Sequence, residues 1–496
     1  KGDAGAARYL TVASQAADDY GDHTLANGTV AVLQVDGDIF AEQFGVKSDG
    51  TASADTLEAV LSYANNLADA KVVLPKGNIL VERSLTGLNG AILVGQGINA
   101  TVLQSNGDYT AFEFTGRFEA RDLTLQQISG TFEGIGFGNK RTDTSDNQAT
   151  YTRFERVSVT GFDFSWWYRA SIWCSWKDNY SKSLVGIRFA RNADPYDVTS
   201  DAPAGWNQYQ PTIGWFHNVG IIENVNFEDD ECGVYGCAMG YTLISNTTQS
   251  QNGDKANHKI LPVTEDPTGI WLQSGAEGSR NAWSNSITSN YSEVCFRPFK
   301  IQDQKSCTIT AGFMQGGAGA TPYPTAIEVD NSLCYIESFT GQDFFDTRVI
   351  AKNNATVYGK IEGLSTGGTV TIEDTSKLFE KREYGTYITG YQFTSGTAVD
   401  SYEIPVDLSN NSHYVLKVGG LYNGSSIRNA TFDVFRKAGD SLTSIELSSG
   451  TTPNFNVTVS GGRLVVNKTG SFIFDFNVTL HQVSESVSQS EVLTPI

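Results

Sequence analysis

The apolar residues of this chain fall into short runs that end in glycine, asparagine or aspartate. "AILVGQG", "ATVLQSNG", "ARDLTLQQISG", "FERVSVTGF", "VGIRFARN", "VGIIENVNFEDD", "TGIWLQSG" and "SCTITAGFMQGG" follow one another between Val72 and about Leu364. Each has the length and composition of a strand, and no helical pattern separates one from the next, which excludes alternating βαβ units. Near-regular recurrence of strand and turn predicts stacked coils of a β-solenoid, whose inward side chains form ladders. Ile222, Val225, Phe227, Ile270, Leu272, Phe296, Phe299 and Ile309 are expected to fill its lumen.

One stretch breaks this pattern. In "FGVKSDGTASADTLEAVLSYANNLADAKVVLPKG" (44–77), Leu57, Val60, Leu61, Ala64 and Leu67 recur at helical spacing behind Asp55, a predicted N-cap with Glu58 three residues on. The first coil of a solenoid exposes backbone donors and apolar side chains at its open end, so this helix is expected to be its lid. Upstream, "TLANGTVAVLQV" carries the Asn27-Gly28 signal of a tight hairpin. Downstream, "HYVLKVGGLY", "ATFDVFRKAG" and "FNVTVSGGRLVVNKTG" alternate in the manner of an antiparallel β-sandwich. The expected units are a leader (1–40), a capped solenoid (41–378) carrying any site, and a sandwich (379–496) for trimerisation or carbohydrate binding.

Composition removes several functional classes. The formal charge is -20, and no Lys/Arg cluster interrupts it, so nucleic acid and anionic membrane are not expected partners. The longest apolar runs fall far short of the roughly 20 residues that a membrane-crossing helix needs. Cys174, Cys232, Cys237, Cys295, Cys307 and Cys334 form no CxxC pair and the five histidines show no ligand spacing, so neither metal nor cofactor is expected. The thiols are expected to be buried, reduced packing residues of a protein made in a reducing cytoplasm, with a Cys232–Cys237 disulfide as the alternative. A chain opening at Lys1 rather than Met is expected to continue a longer or processed polypeptide.

The chemistry on offer suits carbohydrate. Four of the eight tryptophans, Trp166, Trp167, Trp173 and Trp176, lie within residues 162–183, and Trp at both parities of a strand predicts at least one ring outside the core. Such a ring matches the apolar face of a sugar. A long insertion (191–218) adds Trp206 and Tyr209, and a second (245–269) follows; both are expected to flank a groove.

Glycoside hydrolysis needs two carboxyl groups, one protonated and one ionised. "NFEDDEC" supplies Glu228 and Asp230, and the following coils supply Glu277 and Glu293, with Asp303 in reserve. The preferred pair joins Glu228 or Asp230 to Glu277 or Glu293, with Arg280 and Arg297 contacting substrate. The rival is β-elimination on a uronic acid polymer, using Arg280, Arg297, Lys300 and Lys305 as cations and Tyr291, His217 or a lysine as base. A third reading is a glycan-binding adhesin without turnover.

The 44–77 stretch resembles the start of the pectate-lyase-like right-handed β-helix superfamily, in which an "FG…DG" turn, a capping helix and a "V-x-L-P-x-G" strand recur. With a terminal sandwich and a short leader, the organisation resembles that of bacteriophage tailspikes. The resemblance implies an all-β, right-handed parallel β-helix, assembly as a homotrimer, and binding and depolymerisation of a host bacterium's capsular or O-antigen polysaccharide. It also implies a place in the virion, attached to the phage tail or baseplate through a preceding part. No catalytic residue is carried over from it. Hydrolysis is the expected reaction, with lyase and adhesin as alternatives.

Overall fold

The computed structural model describes residues 8–359 apart from 14–15, 18–21, 36, 66, 68–69, 140–148, 170, 191–195, 197–216, 251–254, 274–284, 311, 316–322, 338–339 and 343–344; beyond 359 it describes the backbone of the strands. The expected capped parallel β-helix is present. Its coils bend the chain through three faces. Face 3 is an 11-stranded parallel sheet running from Leu85–Leu88 to Thr369–Ile372. Face 1 includes Ser171–Lys177, His217–Glu223, Met239–Ile244 and Asn285–Thr288, and face 2 includes Tyr180–Lys182, Asn226–Glu228, Thr247–Ser250, Tyr291–Cys295 and Phe313–Gln315. The strands Glu119–Gln127 and Arg153–Thr160 each serve faces 1 and 2 in turn.

Register stacks like on like. On face 3 one row runs Leu85, Phe112, Phe137, Trp166, Ile187, Val234, Ile270, Phe299, Ile327 and Val349, all wholly buried. On face 1 the matching row is Val72, Leu93, Ala120, Phe154, Trp176, Ile222, Leu243, Ile287 and Ile309. These rows are the lumen, and their burial is the main hydrophobic contribution to the fold. Of the residues expected there, only Phe296 departs: it is half-buried beside Tyr323.

The corner between faces 1 and 2 needs a left-handed residue, and Asp178, Asn224, Ser245 and Ser289 take it, with φ between 52° and 54°. Just past it stand Asn179, Asn246 and Asn290. Each amide accepts from a backbone N–H of the preceding coil and donates to a carbonyl of that same coil, as Asn246 does with Val225 and Ile222. Those bonds satisfy backbone groups that the bend takes out of the sheets.

The helix, α1, spans Ala54–Asn65 and buries Ala54, Leu57, Val60, Leu61 and Ala64. It begins two residues earlier than an N-cap at Asp55 predicts. Ser53 precedes it, Glu82 accepts the N–H groups of Ser53 and Ala54, and Asp55 and Glu58 both bind Arg83. Leu67, expected on the apolar face, lies past the helix and is exposed. All six cysteines are buried and unbridged, so Cys232 and Cys237 form no disulfide.

The N-terminal strands Arg8–Val12, His23–Thr24 and Val30–Gln34 form an antiparallel sheet with the expected hairpin at Asn27-Gly28. At the other end the strand Lys377–Tyr384 pairs parallel with Thr356–Gly359 and antiparallel with Ile388–Thr394, and every later pairing is antiparallel. The expected sandwich packing lies outside the described side chains.

Candidate functional site

Face 2 carries the candidate site. Strand alternation turns Ser181, Phe227, Thr248, Ser292 and Met314 inward, where all are buried. The flanking positions face out in two rows. One runs Tyr180, Asn226, Thr247, Tyr291 and Phe313, with the Tyr291 and Phe313 rings stacked at 5.4 Å and 12°. The other runs Lys182, Glu228, Gln249 and Glu293.

Glu228 and Glu293 therefore share one outward row with Gln249 between them. Two inter-strand spacings separate their backbones, about 9.6 Å, just beyond the roughly 6.5–9.5 Å between carboxyl groups that leaves room for a water. Glu228 accepts from the Tyr180 hydroxyl at 2.8 Å and from the Asn226 amide at 3.3 Å, with the Lys182 ammonium 3.8 Å away. Glu293 accepts from Gln249 Nε2 at 3.3 Å. The pairing register shifts here: Thr248 opposes Ser292 while Ser250 opposes Cys295, so Glu293 lies in a β-bulge. Bulges re-aim side chains, and they recur beside active sites. Burial, followed by Glu228, pushes the Tyr180 phenol up, and burial with Glu293 does the same to Tyr291, so both stay neutral hydrogen-bonding groups.

The acidic run after Asn226 divides into four different roles. Glu228 faces out. Asp229 points into the lumen, where its Oδ1 accepts from Ser181 Oγ at 2.7 Å and from the Ser183 N–H at 2.8 Å, and burial raises its pKa far above the carboxylate range. Asp230 is half-buried, and burial raises its pKa too, opposed by Lys182. Glu231 is wholly buried and accepts the N–H groups of Lys259, Ile260 and Leu261 at 2.7–2.9 Å. A neutral Asp229 binds a proton that the unfolded chain gives up, so it costs stability at every pH above its unfolded value near 3.8. Asp229→Asn keeps both accepted bonds and removes that cost; its Tm is expected to rise at pH 7 and to match the wild type near pH 3.

Several expected contacts are relocated by burial. Trp166 and Trp176 point into the lumen at 0% exposure, which removes them as sugar platforms. Trp167 faces outward from face 3, but Ile260 and Leu261 join it in a second apolar cluster with Tyr235 and Trp271. The second insertion is thus divided: its start, Thr247–Ser250, is a face 2 strand, while Lys259–Leu261 cover face 3 instead of flanking a groove, fastened by Glu231 and by Lys259, whose Nζ lies 2.6 Å from Asp163 Oδ2. Trp173 alone of the four is exposed.

Arg297 is 3% exposed and also drops out of the substrate contacts. Its guanidinium donates to Glu328 at 2.6 Å, to Glu265 at 2.5 Å and to Thr268 Oγ1 at 3.0 Å. Lys300, equally buried, binds Glu265 at 2.8 Å and lies over the Trp271 ring at 3.9 Å. Among them, Glu328 is held down to about 2 despite burial, by Arg297, Lys300 and Lys352. Asp303 is buried at a corner, accepting from Asn331. Glu277, Arg280, Trp206 and Tyr209 lie outside the described residues. Tyr180, Gln249 and Phe313 are the outward neighbours that sequence reasoning did not select; strand parity and the coil register mark them.

Several solved structures with the same architecture are phage proteins. The enzymatically active domain of bacteriophage CBA120 tailspike protein 2 aligns over 97% of this chain and 81% of its own length, with TM-score 0.53 and 10% identity. The tailspike of Acinetobacter phage vb_AbaP_AS12 aligns over 92% and 90%, with TM-score 0.53 and 12% identity. The fold is shared with phage tailspikes. A full-length tailspike protein 2 from an Escherichia coli O157:H7 bacteriophage aligns over 94% of this chain and 75% of its own, with TM-score 0.51 and 9% identity. No family model and no curated protein sequence matches the chain. The outward rows of face 2 run across successive coils as a series of repeated positions.

Proposed function

We propose that this protein is a phage tail component that binds and depolymerises a bacterial surface polysaccharide, hydrolysing it on face 2. The observation that carries the reading is the placement of Glu228 and Glu293 on one outward row, two coils apart, with Gln249 between and aromatic rings alongside. Glu228, with donors from Tyr180 and Asn226, is assigned as base to a water on one side of the glycosidic bond. Glu293, aimed by its bulge, is assigned as the acid that protonates the leaving oxygen, and the spacing of the pair suits inversion. Sharing a fold with tailspikes, among them one whose described part is an enzymatically active domain, supports this reading.

Elimination has less in its favour. It requires a base and a cationic partner for the sugar carboxylate. Arg297 and Lys300 are buried in ion pairs on face 3, and Tyr291 is pushed away from the anionic form. The test is incubation with capsular polysaccharide or O-antigen, following reducing ends and the ultraviolet absorbance of unsaturated uronate together. Reducing ends without absorbance are expected. Absorbance rising in step would overturn hydrolysis, and intact polymer of every host type tried would overturn depolymerisation.

A further inference from the structure

Face 1 holds a cleft that the carboxylate row does not use. Its volume is about 370 Å³, and Tyr151, Trp173, Arg117, Arg153, Glu119 and Ser175 line it. Glu119, Arg153 and Ser175 lie opposite one another on three successive coils, so the floor is fixed by sheet register.

The two aromatics are placed by an unusual backbone. Tyr151 and Trp173 have φ of 57° and 55°, a left-handed conformation that bulky residues rarely adopt, and the equivalent position one coil on, Val219, repeats it at 53°. Trp173 alternates with the inward Cys174 and Trp176, which places it on the outer side of face 1, and the left-handed φ falls at that outward position. The result is that Tyr151 and Trp173 are 54% and 51% exposed, their centroids 5.0 Å apart. Large rings held out in water by strained backbone are not packing residues, and the local chemistry names what they would meet.

Arg117, Arg153 and the carboxylate of Glu119 line the cleft beside the pair. Arg117 donates to Glu119 at 2.7 Å, and Glu119 also accepts from Arg121 at 2.5 Å. Arg153 donates through one nitrogen to Glu155 at 2.6 Å, and nearly half of its side chain is exposed. In a chain of charge -20, this cleft is locally cationic. An aromatic surface beside fixed guanidiniums complements a pyranose that carries a carboxylate.

We infer that the Tyr151–Trp173 cleft is a second, non-catalytic saccharide site for a uronic acid residue of the polymer. The inference rests on the reading that this protein handles polysaccharide, not on its cleaving one. The cleft is remote from the carboxylate row: five residues of strand, roughly 16 Å, separate Trp173 from the corner at Asp178, beyond which face 2 begins. A polymer held there is kept near face 2 between cleavage events, and the effective concentration of its next segment rises.

Titration calorimetry of the full chain with short oligogalacturonates, and with isomalto-oligosaccharides as the neutral control, tests this. Oligogalacturonate is expected to bind and the neutral sugar not. Trp173→Ala and Arg153→Met are each expected to weaken binding at least about tenfold, Trp173→Phe to keep most of it, and Glu293→Gln to leave it unchanged. Equal binding of the neutral sugar, unaltered affinity in Trp173→Ala, or loss of binding in Glu293→Gln would each overturn the site. Polysaccharide left uncleaved by the wild type would overturn the depolymerase reading alone, since the calorimetry reads binding with no turnover.

Discussion

Glu293→Gln is expected to lower kcat for polysaccharide cleavage by about 10²–10⁴-fold, the range attributed to one positioned acid or base, with KM little changed. The glutamine is isosteric and keeps an acceptor for the Gln249 amide, but it has no proton to give the leaving oxygen. Glu228→Gln is expected to match it in size and to differ in pH dependence. If Glu228 is the base, its replacement removes the acidic limb of the kcat/KM profile; if Glu293 is the acid, its replacement removes the alkaline limb. Initial rates of reducing-end formation across pH check both. Rates within twofold of wild type in both variants would dismiss the pair and turn attention to Asp230, whose pKa burial already raises.

The second large effect concerns stability. Arg297→Met is expected to destabilise the fold by about 3–5 kcal/mol, the usual result of removing one partner from a buried ion pair. It leaves Glu265 and Glu328 with Lys300 and Lys352 as their cations. The same cluster gives the fold an acid sensitivity. Glu328 has a folded pKa of about 2 against an ordinary 4.5, so its contribution is complete above pH 4.5 and is lost as pH falls towards 2. Urea unfolding of the wild type between pH 6 and pH 2.5 is expected to show that loss, and Arg297→Met to show a smaller one. An unchanged midpoint in the variant would mean that the network contributes nothing to stability.

Much of this architecture is legible in the sequence because it is periodic. The strand-and-turn rhythm marks the solenoid, and the 3.6-residue spacing of Leu57, Val60, Leu61 and Ala64 marks the lid. Parity also places Glu228 outward and Phe227 inward. What the sequence hides is coverage. Trp167 sits at an outward position, yet it is buried by Ile260 and Leu261, which belong to an insertion fastened to Asp163 from 96 residues away. Arg297 and Lys300 look like a cationic patch because the carboxylates that consume them, Glu265 and Glu328, arrive from other coils. Insertions of unequal length between coils likewise conceal the register that sets Glu228 two coils from Glu293. The stretch from Phe164 to Lys177 misleads for a further reason: it is two strands on two faces, so parity restarts between Trp167 and Trp173.

The alternation on face 2 separates two kinds of inheritance. Phe227, Thr248, Ser292 and Met314 hold the coils together, while Tyr180, Asn226, Tyr291 and Phe313, one residue away on the same strands, stand half-buried on the outer side. Variation in the second set alters what the surface recognises and leaves the stacking of the first intact. A lineage under pressure from a changing ligand can thus revise its specificity one coil at a time, and each intermediate still folds.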